Sequence, residues 1–295
     1  MRKAMTHKTK QAWKGFFFVF PWFLGFLFFF LRPFVSSVIY SFNEMKVTDR
    51  IELTFVGLAN YINAFGSDPY YFQYLLASLS KMLYQVPLII FFSLFIATIL
   101  NQRFWSRGIY RVIFFLPTVI SCGVVMGIIR GDTMFNAIQY GEKTTYLFQA
   151  VSLQQILLSS NVSPAIVNYL SVIINSLFEL LWFSGMQIII FLAGLQNIPS
   201  TLREAATIDG ANGWDFFWLI TFPMISPLIL TNIVYTIIAT FTDYTNPVIN
   251  YINQFAAKLD NSFAATLSMV YFVISFVIIF IVYMIMNRRV FYRNA

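Results

Sequence analysis

The sequence predicts an all-α polytopic membrane protein with six transmembrane helices. Three observations predict it. Hydrophobic residues make up 59% of the 295 positions and charged residues only 11%, against about 25% charged in soluble domains. Six segments are long and apolar enough to cross the hydrocarbon core, which takes roughly 20 helical residues. Lys and Arg gather in alternate loops, the asymmetry that sets membrane topology. The predicted spans are Phe16–Phe42, Tyr74–Leu100, Ile109–Ile129, Ser171–Leu195, Ile225–Pro247 and Phe263–Met286.

Residues 1–15 form a basic tail carrying Arg2, Lys3, Lys8, Lys10 and Lys14. The apolar run that follows outlasts the core of a signal peptide, and no Ala-x-Ala-like site ends it, so it is expected to stay as the first span. Residues 43–73 hold Glu44, Asp49, Glu52 and Asp68 among aromatics and are expected to carry a short helix. Arg103, Arg107 and Arg111 lie between the second and third spans. Segment 130–170 is longer than most connections, which points to function. Its stretches Met134–Tyr140 and Tyr146–Leu158 read as partly helical. Arg288, Arg289 and Arg293 close the chain.

The tails, the Arg103 loop and Arg203 hold twelve basic residues, whereas Lys46, Arg50, Arg130, Lys143 and Lys258 are five on the other side. Both termini and the loop over residues 196–223 are therefore expected in the cytoplasm. The expected organisation is one transmembrane domain over 16–289, with a core at about 74–286, between the tails 1–15 and 290–295. The net charge of +7 sits at span ends rather than on a soluble face, which argues against nucleic acid. Cys122 and His7 are the sole Cys and His, so no intrachain disulfide, Cys-based metal cluster or His-based triad is expected.

The loop 196–223 is the polar island between the fourth and fifth spans. It reads Leu202-Arg203-Glu204-Ala205-Ala206-Thr207-Ile208-Asp209-Gly210, then Ile220-Thr221-Phe222-Pro223. Pro199 favours a helix start just after it. Thr201 and Glu204 match a capping box, and Gly210 is placed for a left-handed cap on a helix over about 200–208. A second short helix is expected over about Trp214–Thr221, with Pro223 and Pro227 restarting the fifth span. Ala205 and Ala206 would leave one helix face small enough for close approach by a partner. Taken as helix physics alone, the stretch reads equally well as an amphipathic connector.

Glu204-Ala205-Ala206, Gly210, Ile220 and Pro223 fall in register on the EAA-loop pattern; Phe222 stands where Leu is usual. The chain thus resembles the permease subunits of binding-protein-dependent ABC importers, with a MetI-like core plus one N-terminal helix. Phe191–Pro199, Phe20-Pro21-Trp22, Arg32-Pro33-Phe34 and Ala264–Ser268 extend the likeness toward carbohydrate permeases, in particular the maltose-type first subunit. The Thr-Gly-Gly-Gly-Pro run that relatives often carry after the fifth span is missing from Ile249–Ala257. The resemblance implies a bacterial plasma-membrane protein without catalytic residues or cofactor. It implies that Glu204, Ala205, Ala206, Ile208, Asp209 and Gly210 couple to an ATPase. The implied partners are a second homologous permease, two ATP-binding subunits and an extracellular solute-binding protein.

Polar groups inside spans are expensive and mark function by default. Asn175, Glu179, Trp182 and Met186 share one face of the fourth span. Asn232, Tyr235, Thr236, Thr240, Asp243 and Tyr244 cluster in the fifth. Carboxylates beside aromatics suit a sugar, whose hydroxyls seek acceptors and whose ring faces stack on apolar rings. Glu179, Trp182, Asp243 and Tyr244 are the resulting substrate-path candidates. Three other readings stand beside that one: the acids and aromatics simply sit at the outer interface, the acids pair with Arg32 or Lys81, and the Asn and Thr residues join helices. A membrane enzyme and an ion-coupled transporter are the alternatives of other classes. Neither His-Glu-x-x-His, Gly-x-Ser-x-Gly nor a P-loop occurs, and no inverted repeat is visible.

Overall fold

A computed structural model describes residues 7–47, 51–102, 105–121, 163–243 and 245–290. In chain order the helices are α1 (His7–Gly25), α2 (Arg32–Ser41), α3 (Ala59–Ile62), α4 (Tyr71–Asn101), α5 (Arg107–Ser121), α6 (Pro164–Gln196), α7 (Ser200–Ile208), α8 (Gly213–Phe216), α9 (Phe222–Phe241), α10 (Pro247–Ala257) and α11 (Asn261–Asn287). Between α2 and α3, strands β1 (Asn43–Val47) and β2 (Ile51–Phe55) pair antiparallel, with Asn43 opposite Phe55 and Val47 opposite Ile51. Segment 43–73 thus carries the expected short helix, α3, together with a hairpin not expected from sequence; Met45, Val47, Ile51, Leu53 and Phe55 alternate with polar residues, the period of a strand.

Five stretches among the described residues are long and apolar enough to span a membrane: Trp13–Ser41, Tyr71–Asn101, Glu179–Gln196, Gly213–Phe241 and Asn261–Asn287. The third expected span, Ile109–Ile129, is described only to Ser121. Stretches 134–140 and 146–158 lie outside the described residues. The fifth span starts twelve residues before the expected Ile225, and Pro223 and Pro227 do not break it. It also ends early, at Phe241, and Pro247, its expected last residue, instead begins a separate helix, α10.

Pro21, Pro87 and Pro227 sit inside helices, whereas three π-helical turns among the described residues lead into other prolines. They cover Phe26–Leu31, Asn63–Ser67 and Phe217–Thr221. Each ends one residue before an X-Pro bond: Arg32-Pro33, Asp68-Pro69 and Phe222-Pro223. The N–H of Arg32, Asp68 and Phe222 reaches back five residues, to the carbonyls of Leu27, Asn63 and Phe217. Proline has no N–H to give, so the ladder is interrupted at that point in any case. A widened turn just before it realigns the remaining bonds, and two of the three helices continue.

The chain forms two compact units, residues 1–80 with 241–278 and residues 81–240 with 279–295. In the first, the α1–α2 span leaves most of its large apolar side chains exposed. Trp22, Phe26, Phe30 and Phe34 stack one helical turn apart along it, and Phe34 meets Phe272 of α11 edge-on at 5.6 Å. Asn246 is buried and organises the other face. Its Nδ2 donates to Ser78 Oγ and to the Tyr271 hydroxyl, both at 2.8 Å, and its Oδ1 accepts the Val248 N–H that starts α10. Tyr271 donates on to the Phe241 carbonyl at 3.2 Å. Asp68 caps α4 through the N–H groups of Tyr70 and Tyr71 and accepts the Tyr251 hydroxyl at 2.8 Å. Desolvation and that carboxylate push the Tyr251 phenol well above its ordinary pKa, so it stays a donor at neutral pH.

In the second unit the core lies where α4, α6 and α9 meet. Ala97, Leu100, Ile188, Phe191, Leu192, Leu195, Ile225 and Ile229 are all buried there. Six of these residues come from the ends of α6 and α9 that flank the loop 196–223, and Ala97 and Leu100 from the end of α4 packed against them, so the loop adjoins packed apolar layers. Gly194 allows the closest approach: a Cβ there would come within 2.0 Å of Leu228 Cδ1. Small residues at such crossings let membrane helices pack by contact alone.

Candidate functional site: the loop 196–223 and the polar faces of the spans

Pro199, extended at φ −60 and ψ 136, precedes α7 and offers no capping side chain. The expected Thr201–Glu204 capping box is therefore absent, because Thr201 is already inside the helix. The capping box forms one helix later. Asn212 Oδ1 accepts the N–H groups of Trp214 and Asp215 at 2.8 and 3.0 Å, and Asp215 Oδ2 accepts the Asn212 N–H at 3.2 Å.

The expected C-terminal cap is present in full. Gly210 has φ +80, in the left-handed region. The Ala211 N–H reaches the Ala206 carbonyl at 2.9 Å and the Gly210 N–H reaches that of Thr207 at 3.1 Å. This pair of bonds is the Schellman motif. It reverses the chain within two residues and sends it into α8. Arg203 bridges the two helices from above, its guanidinium 5.4 Å from the Phe216 ring centre.

Ala205 and Ala206 do not share an outward face: Ala206 is buried and Ala205 exposed. One hundred degrees of helix rotation separates neighbours, so one alanine packs the loop onto the core while the other faces out. Arg203, Glu204, Thr207, Ile208, Asp209 and Gly210 are exposed with Ala205. Ile208 is 86% exposed, and Trp214 and Leu219 are 70% and 74% exposed. The loop therefore presents charged groups around a protruding apolar residue, a surface suited to a groove on a partner.

The family whose members are described as "Binding-protein-dependent transport system inner membrane component" matches residues 72–293. The chain belongs to that family. It is thus a permease of an ABC-type importer that works with a binding protein. The permease is 34% identical over 245 residues to the "Probable ABC transporter permease protein YesP" of Bacillus subtilis, covering 83% of this chain and 75% of the other. It is 29% identical to the "Trehalose/maltose transport system permease protein MalF" of Thermococcus litoralis, over 77% and 73% of the two chains. Its fold matches a chain of a bacterial alginate ABC transporter, crystallised with a periplasmic protein bound to alginate pentasaccharide. That match has a TM-score of 0.64 at 17% identity over 95% and 96% of the chains.

The substrate-path candidates of the permease separate. Glu179 lies in the second unit, where Lys81 Nζ approaches its Oε1 to 2.7 Å and Gln85 Nε2 donates to the same oxygen at 3.4 Å. Pairing with Lys81, one of the alternatives open from sequence, is thus realised. Trp182 follows on the same helix, three residues on and half-buried. Asp243 lies in the first unit, at the break between α9 and α10. It accepts the Thr245 N–H at 3.2 Å and the Thr245 hydroxyl, closing the turn that leads to Asn246. Tyr244 lies outside the described residues, and so does the side chain of Asn175. In α9, Asn232 Nδ2 donates to the Gln187 carbonyl at 3.4 Å and Gln187 Nε2 donates to Thr236 Oγ1 at 2.9 Å. Asn232 and Thr236 therefore join α6 to α9, as the helix-joining reading expected.

Sequence reasoning missed Gln85, Gln187 and Asn246. The signal for Gln85 is a polar stripe on α4, Ser78, Lys81 and Gln85, at three- and four-residue spacing in an apolar run. That for Asn246 is the Asn-Pro pair, a helix N-cap followed by proline at the first helical position.

Proposed function

We propose that this permease, with a second homologous permease and two ATP-binding subunits, forms the membrane path for a saccharide delivered by an extracellular binding protein. The supporting observation is the exposed helix α7 with its left-handed Gly210, at the position of the EAA pattern in a member of this family. Glu204, Ala205, Ile208 and Asp209 dock in a groove of the ATPase, Ala206 seats the helix, and Gly210 holds the angle between α7 and α8. Hydrolysis belongs to the ATPase, and this chain transmits its motion. Saccharide is the favoured solute because the similar permease of Thermococcus litoralis is named for trehalose and maltose and the similar structure is that of an alginate importer. Glu179, Trp182 and Asp243 contribute to the path. Purification of this chain from its native membrane should bring down an ATPase subunit. An active complex made of this polypeptide alone would defeat the reading.

The topology has its own test. In a Cys122→Ala background, an impermeant thiol reagent added outside should label a cysteine placed at Glu52 or Lys258, both exposed. It should leave a cysteine at Thr207 or Asp209 unlabelled until the membrane is opened. Labelling at Thr207 in sealed cells would put the coupling loop on the wrong side.

A further inference from the structure

We propose that Lys81, Gln85 and Glu179 form a binding site for a vicinal diol of a neutral saccharide. The inference rests on the proposed function and adds two residues and a recognition mode to it. Lys81 and Glu179 are 29% and 40% exposed, on helices that expose Leu83, Tyr84, Leu88 and Leu177 beside them, with Ser80 and Ser176 the exposed polar neighbours in sequence. An ionised pair within membrane spans faces either the bundle interior or a water-filled cavity, because lipid cannot solvate it. Exposure at that level points to the cavity.

The cluster keeps unused hydrogen-bonding capacity. Both of its internal contacts converge on Glu179 Oε1, which leaves Oε2 to accept hydroxyl protons. The Lys81 ammonium has three donors, and one of them is engaged by Glu179. Gln85 is 5% exposed, and its Oε1 is buried without a hydrogen-bond partner. An unpaired buried carbonyl is costly and asks for a donor. A carboxylate acceptor beside an ammonium donor matches two neighbouring sugar hydroxyls, one donating and one accepting. The pair is neutral overall, so it selects a polyol over a free anion.

A plain structural ion pair makes a different forecast. Exchanging a buried pair for two apolar residues is often neutral, whereas removing one partner is strongly destabilising. The test is uptake of radiolabelled maltotriose, arabinotriose and galactotriose by the assembled transporter, comparing parent, Lys81→Met, Glu179→Met, the double variant Lys81→Met/Glu179→Met, and Gln85→Leu. The proposal expects the double variant to assemble, as judged by co-purification, and to take up the parent's best substrate at least tenfold more slowly. Gln85→Leu keeps the ion pair and should raise the half-saturating concentration several-fold. Should the double variant fail to assemble, Gln85→Leu decides. Uptake within twofold of the parent, in the double variant or in Gln85→Leu, would show the cluster to be structural and overturn the site while leaving the saccharide importer standing. A parent complex that imports none of the three sugars would overturn both.

Discussion

Gly210→Val is expected to abolish uptake, by tenfold or more, while the protein still reaches the membrane at the parent's level. The reason is conformational. Nothing lies within 4 Å of where a Cβ would sit, so there is no clash to relieve. The backbone at φ +80 is what a β-branched residue resists, at a cost of about 1–3 kcal/mol. The two Schellman bonds would open, and α7 would lose its fixed angle to α8. In the proposed assembly the ATPase would then hydrolyse ATP without driving the spans. Gly210→Asn is the matching control, since asparagine tolerates the left-handed region, and it should retain a substantial share of uptake. The measurement is uptake and ATP hydrolysis on the same reconstituted complex. Full transport by the valine variant would remove Gly210 from the coupling assignment.

Asn246→Leu is expected to give the largest loss of stability. The side chain is buried and makes three hydrogen bonds, to Ser78, Tyr271 and the start of α10. Interhelical bonds in membrane proteins average about 0.6 kcal/mol each, and loss of an N-cap adds about 1 kcal/mol. The total is roughly 2–3 kcal/mol, while the Ser78 hydroxyl keeps its bond to Tyr271 at 3.1 Å. Thermal unfolding in detergent, followed by size-exclusion, should show a midpoint lower by roughly 5–10 °C. Asn246→Asp keeps the acceptor for Val248 but loses both donors, and its midpoint should fall between leucine and parent. An unchanged midpoint for the leucine variant would mean that the α9–α10 break is held by packing alone.

Much of this protein was written locally in its sequence. Four of the spans overlap closely the apolar runs that predicted them, and the left-handed glycine after α7 lies where the helix-stop chemistry put it, because both depend on neighbours within a few residues. The EAA register of Glu204, Gly210 and Pro223 carried the family. The errors fall where a local signal was overruled. Thr201 looked like a cap, but the extended backbone at Pro199 had already set the helix start. Pro223 and Pro227 were expected to restart the fifth span, yet a π turn over Phe217–Thr221 leads straight into Pro223, Pro227 sits inside the helix, and the span runs on from Gly213. Only the tertiary structure decided what the intramembrane polar residues touch. Composition marks Glu179, Gln187, Asn232 and Asn246 as costly and therefore purposeful. Pairing Glu179 with Lys81 and Asn246 with Ser78 takes contacts across 98 and 168 residues of chain. No periodicity encodes such a distance; it is fixed by which helix faces pack together.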